Sequence, residues 1–388
     1  MKRLTSIDFI RGIVMIIMAL DHTRDLIHAD PLGQSPTDLS TTTPALFFTR
    51  WITHLCAPTF VFLSGTSAFL SLQNHSNFDE SRKFLFTRGL WLVFVNFTIN
   101  NFAIFFDIHF SIFFSQVIAV IGFGFIGLAL LLKFSPRTLL IIGLIIIFGH
   151  DLFQGISFQN NQPLNIIWTL FMGSNFFQIT PAHALLISYP IIPWLGIMLV
   201  GFSFGSLYNL PSEKRKKLFL QIGFGALVLF ALIRTFNLYG DKSHWSFQKN
   251  GLYSFFSFIN TTKYPPSLLF TLMVLGISIL LLSLFDNVQN KITDIVSVYG
   301  KVPLFYWLLH WFIIHFVAIG IFYAQGFHWS DFKFEGFGEG HPKDGAGGLS
   351  LSGVYVAWIG VVLFMYPVSR WYGNYKMQHK DKIWLRYL

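Results

Sequence analysis

Apolar stretches too long for a soluble core recur from one end of this chain to the other. Leu90–Phe97, Leu139–Phe148 and Leu268–Phe285 are three of them, and Phe alone supplies 47 of 388 residues. A membrane-crossing helix needs about 20 mostly apolar residues, and several segments here meet that need. Charged residues make up 12% of the chain, against about 25% in soluble domains. The fold class that follows is an all-α integral membrane protein, a polytopic bundle read as a single domain over residues 1–388.

Hydropathy places about ten transmembrane helices near 7–28, 45–73, 84–106, 110–132, 138–152, 186–208, 218–239, 265–285, 302–324 and 351–371. The fifth is short, and residues 157–182 read as a re-entrant or interfacial helix. With the N-terminus inside, cytoplasmic segments carry 18 Lys and Arg against 8 outside, which predicts N-in, C-in. Lys2 and Arg3 precede an apolar run that contains Asp8 and Arg11 and no small-residue cleavage site, so the first helix is expected to be retained. The net charge of +9 follows this topology rather than a nucleic-acid partner. Cys56 is the one cysteine, which excludes an intramolecular disulfide and thiolate–metal clusters. Gly196, Gly201 and Gly205 have the spacing of close helix packing. Gly336, Gly338, Gly340, Gly345, Gly347 and Gly348 predict a flexible outer loop.

Ionisable residues inside a span cost roughly 2.5–3.5 kcal/mol each at the helix centre on insertion scales, so each needs a partner or a task. The first span has Asp8 and Arg11 near its inner end, three residues apart and able to neutralise each other. Its outer end reads Asp21-His22-Thr-Arg24-Asp25, with His28 beyond. Arg11 and His22 fall within about 20° of one helical face and roughly 16 Å apart along the axis. A carboxylate from Asp21 or Asp25 beside His22 would fix its tautomer and raise its basicity, as a general base requires. A hydrated helix end is the plainer reading, and the residues alone leave both open. In the second span Arg50 and His54 share a face. In the ninth, Pro303, Trp307 and His310 do, with His315 further on. Interhelical hydrogen bonding and chemistry remain alternatives for both histidines.

Most of the 13 histidines fall in the outer half of this topology, His75 and His379 being cytoplasmic. His328, Asp331, Glu335, Glu339 and His341 lack metal-ligand spacing, so no metal is expected. His150, Asp151, His183, Trp168 and Trp194 read as interfacial. Asn96, Asn100, Asn101 and Gln116 suit a polar channel or interhelical bonds. Lys214-Arg-Lys-Lys217 reads as lipid-headgroup contact and topology determination. No phosphate-binding glycine loop or nucleophile elbow is present.

Four segments in order resemble a known family. They are Arg3-Leu-Thr-Ser-Ile-Asp8-Phe-Ile-Arg11-Gly12 with its histidine at 22, Arg50-Trp-Ile-Thr-His54-Leu-Cys-Ala-Pro58 through Gly65, Pro190-Ile-Ile-Pro193-Trp194-Leu-Gly196, and Gly300-Lys-Val-Pro303 through His310. With the ending Trp384–Leu388, they are similar to bacterial members of the heparan-alpha-glucosaminide N-acetyltransferase catalytic-domain family, within the transmembrane acyltransferases.

The resemblance implies transfer of an acetyl or other acyl group from cytosolic acyl-CoA, a co-substrate, to an extracytoplasmic sugar or envelope glycan. The setting it implies is a bacterial inner membrane, with the lipid bilayer as the first partner and a homo-oligomer left open. Functional Arg and His positions of related acetylases map onto Arg11 and His22. The expected catalytic group is therefore His22 with Asp21 and Asp25, with Arg11 and Asp8 near the donor. Arg50, His54, Trp194 and His310 are expected to position the acceptor. A transporter or lipid flippase using the same buried ions as a proton relay is the rival reading, and a non-catalytic accessory subunit is another.

Overall fold

The computed structural model describes residues 5–29, 35–73, 77–158, 160–343 and 347–387. Lys2, Arg3, His75, Gly345 and Leu388, which enter the sequence reading, lie outside them. Of these described residues, 70% are helical. Its helices are α1 (Thr5–Ile27), α2 (Pro44–Ile52), α3 (Cys56–Gln73), α4 (Phe78–Val95), α5 (Asn101–Phe105), α6 (Val117–Leu131) and α7 (Pro136–Gly149). They continue with α8 (Gln162–Met172), α9 (Ile191–Phe204), α10 (Ser212–Phe236), α11 (Gly251–Ile259), α12 (Leu268–Leu284), α13 (Lys291–Gly300), α14 (Pro303–Ala324) and α15 (Leu351–Gln378).

Each of the ten expected segments is helical over most of its length. Among the described residues, six helices are long and apolar enough to cross a membrane: Pro44–Gln73, Pro136–Phe153, Ile191–Asn209, Ser212–Phe236, Pro303–Ala324 and Leu351–Gln378. The helices α6 and α12 are apolar but shorter. Helix α1 is long enough but carries Asp8, Arg11, Asp21, Arg24 and Asp25.

Local sequence explains where the helices depart from their expected bounds. The segment 45–73 is interrupted by a 3-10 turn at Thr53–Leu55. Pro58 lies four residues after His54 and has no N–H to give that carbonyl, and a proline ring crowds the same position. The span expected from 186 begins only at Ile191, with Pro190 as its N-cap. The residues before it form a strand, Ala184–Ile187, paired antiparallel with Asn175–Gln178. Residues 157–182 thus supply α8 and one strand of this hairpin.

The chain divides into two compact units, each assembled from separated stretches. One contains Ala57–Phe97 and Phe114–Val288. There α3 and α9 cross at contact distance: a Cβ on Gly201 would lie 2.1 Å from the Phe62 carbonyl oxygen, so only glycine permits this approach. Thr66 Oγ1 donates to the Gly201 carbonyl at 2.9 Å across the same crossing. Arg215 departs from the lipid-headgroup contact expected of the basic run 214–217. It is buried, and its Nη2 meets Asp286 Oδ1 and Oδ2 at 2.9 and 2.7 Å. Burial is tolerated because the guanidinium is paired and its remaining N–H groups reach carbonyls. Arg234 is also buried, donating to the carbonyls of Phe258, Ser243, Ser257 and Asn260.

The other unit contains Ile7–Cys56, Thr98–Phe113 and Gln289–Leu388, and it carries the first and ninth expected spans. Helices α1 and α13 touch backbone to backbone. A Cβ on Gly300 would stand 1.9 Å from the Asp8 carbonyl oxygen, and one on Gly12 would stand 2.1 Å from that of Val296. Helix α15 closes on α1 through Trp358 Nε1, which donates to the Ile16 carbonyl at 2.8 Å. The Leu349 N–H bonds the Ile27 carbonyl at 2.7 Å, and the Ala29 N–H bonds the Leu349 carbonyl at 2.9 Å. The end of the glycine-rich loop is thereby tied to the end of α1.

Because the obstructing atoms at Gly300 are backbone, Gly300→Ala should force α1 and α13 apart. A destabilisation of about 1–3 kcal/mol is expected, measured as a lowered thermal unfolding midpoint of the purified protein in detergent. Gly225→Ala, with open space around its Cβ position, is the control and should change the midpoint little.

Candidate active site

The last turns of α1 and the middle of α14 place His22 against His310. His22 Nδ1 lies 2.6 Å from His310 Nε2, and both rings are buried. His310 Nδ1 in turn lies 3.0 Å from the Tyr306 carbonyl oxygen, one helical turn back. A carbonyl only accepts, so His310 must carry its proton on Nδ1. In the neutral pair His310 Nε2 is then an acceptor, and His22 must donate from Nδ1. This leaves the His22 lone pair on Nε2. The tautomer of His22 is thus set through a second imidazole from a main-chain oxygen, which is the orienting service a general base needs.

Two indoles fix the plane of the His22 ring. Trp311 stacks on it with ring centroids 3.9 Å apart and planes 20° apart. Trp307 meets it edge-on at 5.5 Å and 84°. Trp307 is held by its own hydrogen bond, Nε1 to Asn100 Oδ1 at 2.6 Å. Asn100 ends a π-helical turn, Asn96–Asn100, between α4 and α5, a local widening often found at functional sites.

The carboxylates expected to orient His22 are engaged with arginines. Asp21 Oδ1 lies 2.9 Å from Arg24 Nη2, and its Oδ2 lies 2.8 Å from Arg50 Nη1. Asp25 pairs with the same Arg24 nitrogen. Arg50 also donates to Thr53 Oγ1 at 2.8 Å, so it braces the 3-10 turn that carries the buried His54. These acids and arginines form one neutralised cluster at the end of α1 and start of α2, one helical position from His22. Asp8 and Arg11 lie near the start of α1, Asp8 buried. Trp194 belongs to the other unit, fully buried against Tyr189 at 5.0 Å between ring centroids.

The structure therefore brings together His22 and His310, and joins Asp21 to Asp25 through Arg24, with Arg50 on the other oxygen of Asp21. Sequence reading missed Trp311 and Arg24 as parts of the site. The run Trp307-Leu-Leu-His310-Trp311 holds the signal: positions 307, 310 and 311 line one helical face. His315 is also buried on α14, its Nε2 on the Ile104 carbonyl at 2.8 Å. Among the described residues no group of three or more His, Cys, Asp or Glu could hold a metal ion.

The sequence model for the heparan-alpha-glucosaminide N-acetyltransferase catalytic domain matches residues 3–239. The chain belongs to this family. Membership and the apolar helices together make it an integral membrane protein of a family of membrane acetyltransferases. The matched region contains Arg11, His22, Asn100 and Trp194; His310, Trp307, Trp311 and the resembling segment from Gly300 lie beyond it. Among curated protein sequences, none matches the chain.

Beside the site, the glycine-rich loop carries Glu339, whose carboxyl is pushed up to about 8 by burial and by the nearby Asp25 charge. A folded-state value above the unfolded one means that folding favours the protonated form. That contribution is complete below the ordinary carboxyl range near 4.5, and is lost as pH rises through about 8. Thermal stability in detergent should therefore fall between pH 5 and 8, and Glu339→Gln, which keeps a neutral side chain throughout, should flatten the dependence.

Proposed function

We propose that this family member moves an acyl group from acyl-CoA to a hydroxyl or amine of an extracytoplasmic sugar or envelope glycan, with His22 as the general base. The observation that carries the reading is the buried His22–His310 pair, whose hydrogen-bond chain from the Tyr306 carbonyl puts the basic lone pair on His22 Nε2. Acyl transfer needs one base of near-neutral pKa, with donor and acceptor held at near-attack distance. His22 Nε2 would take the acceptor's proton as its oxygen or nitrogen bonds the thioester carbon. It would return that proton to the departing CoA sulfur when the tetrahedral intermediate collapses.

Family membership supports the acetyl group and the sugar class of acceptor. Ten spans with both ends on the cytoplasmic side of a bacterial inner membrane are the topology this reading takes, supported by the ten helical segments and the 18-to-8 basic bias. In that topology Arg11 and Asp8 stand at the cytoplasmic end of α1, where the negatively charged donor arrives. Arg50 and His54 stand near the opposite end, where the acceptor does. Trp194 is assigned to the acceptor side on the same topology.

Labelled acetyl-CoA and a panel of envelope glycans, mixed with the purified full chain in detergent, test the reading. Wild-type protein should transfer label, His22→Ala should abolish transfer, and His310→Ala should lower kcat by about 10²–10⁴ while the protein remains folded. Normal transfer by folded His22→Ala protein would remove His22 from the reaction. Absence of transfer together with solute uptake by proteoliposomes lacking any acyl donor would replace the enzyme with a transporter.

A further inference from the structure

In the surroundings of His22 the fold buries two hydrogen-bond donors without using them. Trp311 is 4% exposed and Asn100 0% exposed, and neither Trp311 Nε1 nor Asn100 Nδ2 has a hydrogen-bond partner among the described residues. The orientation of Asn100 is settled, because Trp307 Nε1 donates to its Oδ1 and an indole nitrogen can only donate. Its Nδ2 is therefore the amide end left over. A buried donor with no acceptor is uncommon and calls for an explanation. Here two such donors belong to one shell around one histidine: Trp311 stacks on the His22 ring, and Asn100 holds the Trp307 that packs against its edge.

Direction matters as much as proximity. An indole N–H and an imidazole lone pair both lie in the planes of their rings. The Trp311 and His22 planes are 20° from parallel with centroids 3.9 Å apart. The donor and the base thus act in adjacent, nearly parallel layers. Acyl transfer from a thioester uses both functions, a donor to the carbonyl oxygen and a base for the attacking group's proton.

We infer that Trp311 Nε1, with Asn100 Nδ2, donates to the thioester carbonyl oxygen of the acyl donor and holds the oxyanion that forms on it. This inference rests on the acyltransferase reading above. When the acceptor heteroatom bonds the carbonyl carbon, its proton passes to His22 Nε2 and the carbonyl π pair moves onto oxygen. The two N–H groups then face a full negative charge instead of a carbonyl dipole. Their hydrogen bonds strengthen in the transition state, which is the condition for acceleration rather than mere binding. Collapse returns the electron pair to the C–O bond and expels CoA sulfur, which receives the proton from His22. Other buried ions, such as Arg215 and Arg234, are spent on Asp286 and on backbone carbonyls; these two donors have no such structural employment.

The test compares acetyl-CoA with S-ethyl-CoA, a thioether of nearly the same size that lacks the carbonyl oxygen. Full-length wild-type protein in detergent should bind acetyl-CoA more tightly. Trp311→Phe keeps an aromatic ring in the stack and removes the N–H together with part of the indole's area. It should weaken acetyl-CoA binding roughly five- to tenfold, the worth of about one hydrogen bond, and leave S-ethyl-CoA unchanged. Asn100→Asp keeps the acceptor for Trp307 and loses the amide donor, and should reduce the same discrimination by a similar factor. In turnover, both should lower kcat about 10²–10³-fold with a smaller change in KM. Preserved discrimination and kcat in both folded variants would overturn the inference while leaving His22 as base. A wild-type protein that binds neither CoA compound would instead overturn the acyltransferase reading itself.

Discussion

The contact on which the site depends is the hydrogen bond from His22 Nδ1 to His310 Nε2 at 2.6 Å. Imidazole has two interchangeable tautomers, and a base is useful only if the lone pair is on the nitrogen that meets the substrate. Here the choice begins at the Tyr306 carbonyl, an acceptor with no alternative role, and passes through His310. A carboxylate would do the same job with a formal charge. A neutral imidazole does it without the cost of burying an anion in apolar surroundings.

That pairing requires α1 and α14 to be held in register, and several contacts in the unit serve this end. Gly12 and Gly300 allow α1 and α13 to meet backbone to backbone, and α13 leads into α14 through only two residues, Lys301 and Val302. Trp358 ties α15 to α1 at the Ile16 carbonyl. At the end of α1, Arg24 and Arg50 neutralise Asp21 and Asp25. Charges that would each be expensive alone are thereby gathered into one compensated cluster beside the histidine.

The helices were legible in the sequence because membrane-length apolar runs admit few other structures. The deviations were legible only in part. Pro58 signals trouble for the carbonyl of His54, yet the 3-10 turn that results also rests on Thr53 and Arg50, whose side chains meet there. Arg215 read as one of four headgroup-contacting cations because its partner, Asp286, is 71 residues away. Trp194 is fully buried within its unit, which its neighbours in the sequence do not show.

The sequence alone determined the membrane class, the helical segments and the family, and it singled out His22 as a candidate, because each follows from local composition or from an ordered set of short motifs. Tertiary structure decided what His22 is paired with. His310 lies 288 residues away, and the spacing of Asp21 and Asp25 made them the nearer candidates. Helical periodicity describes one helix at a time and carries no information about which face of α14 meets α1. That meeting places the row of polar residues at a helix end beside a histidine with a defined tautomer, two packed indoles and two buried donors.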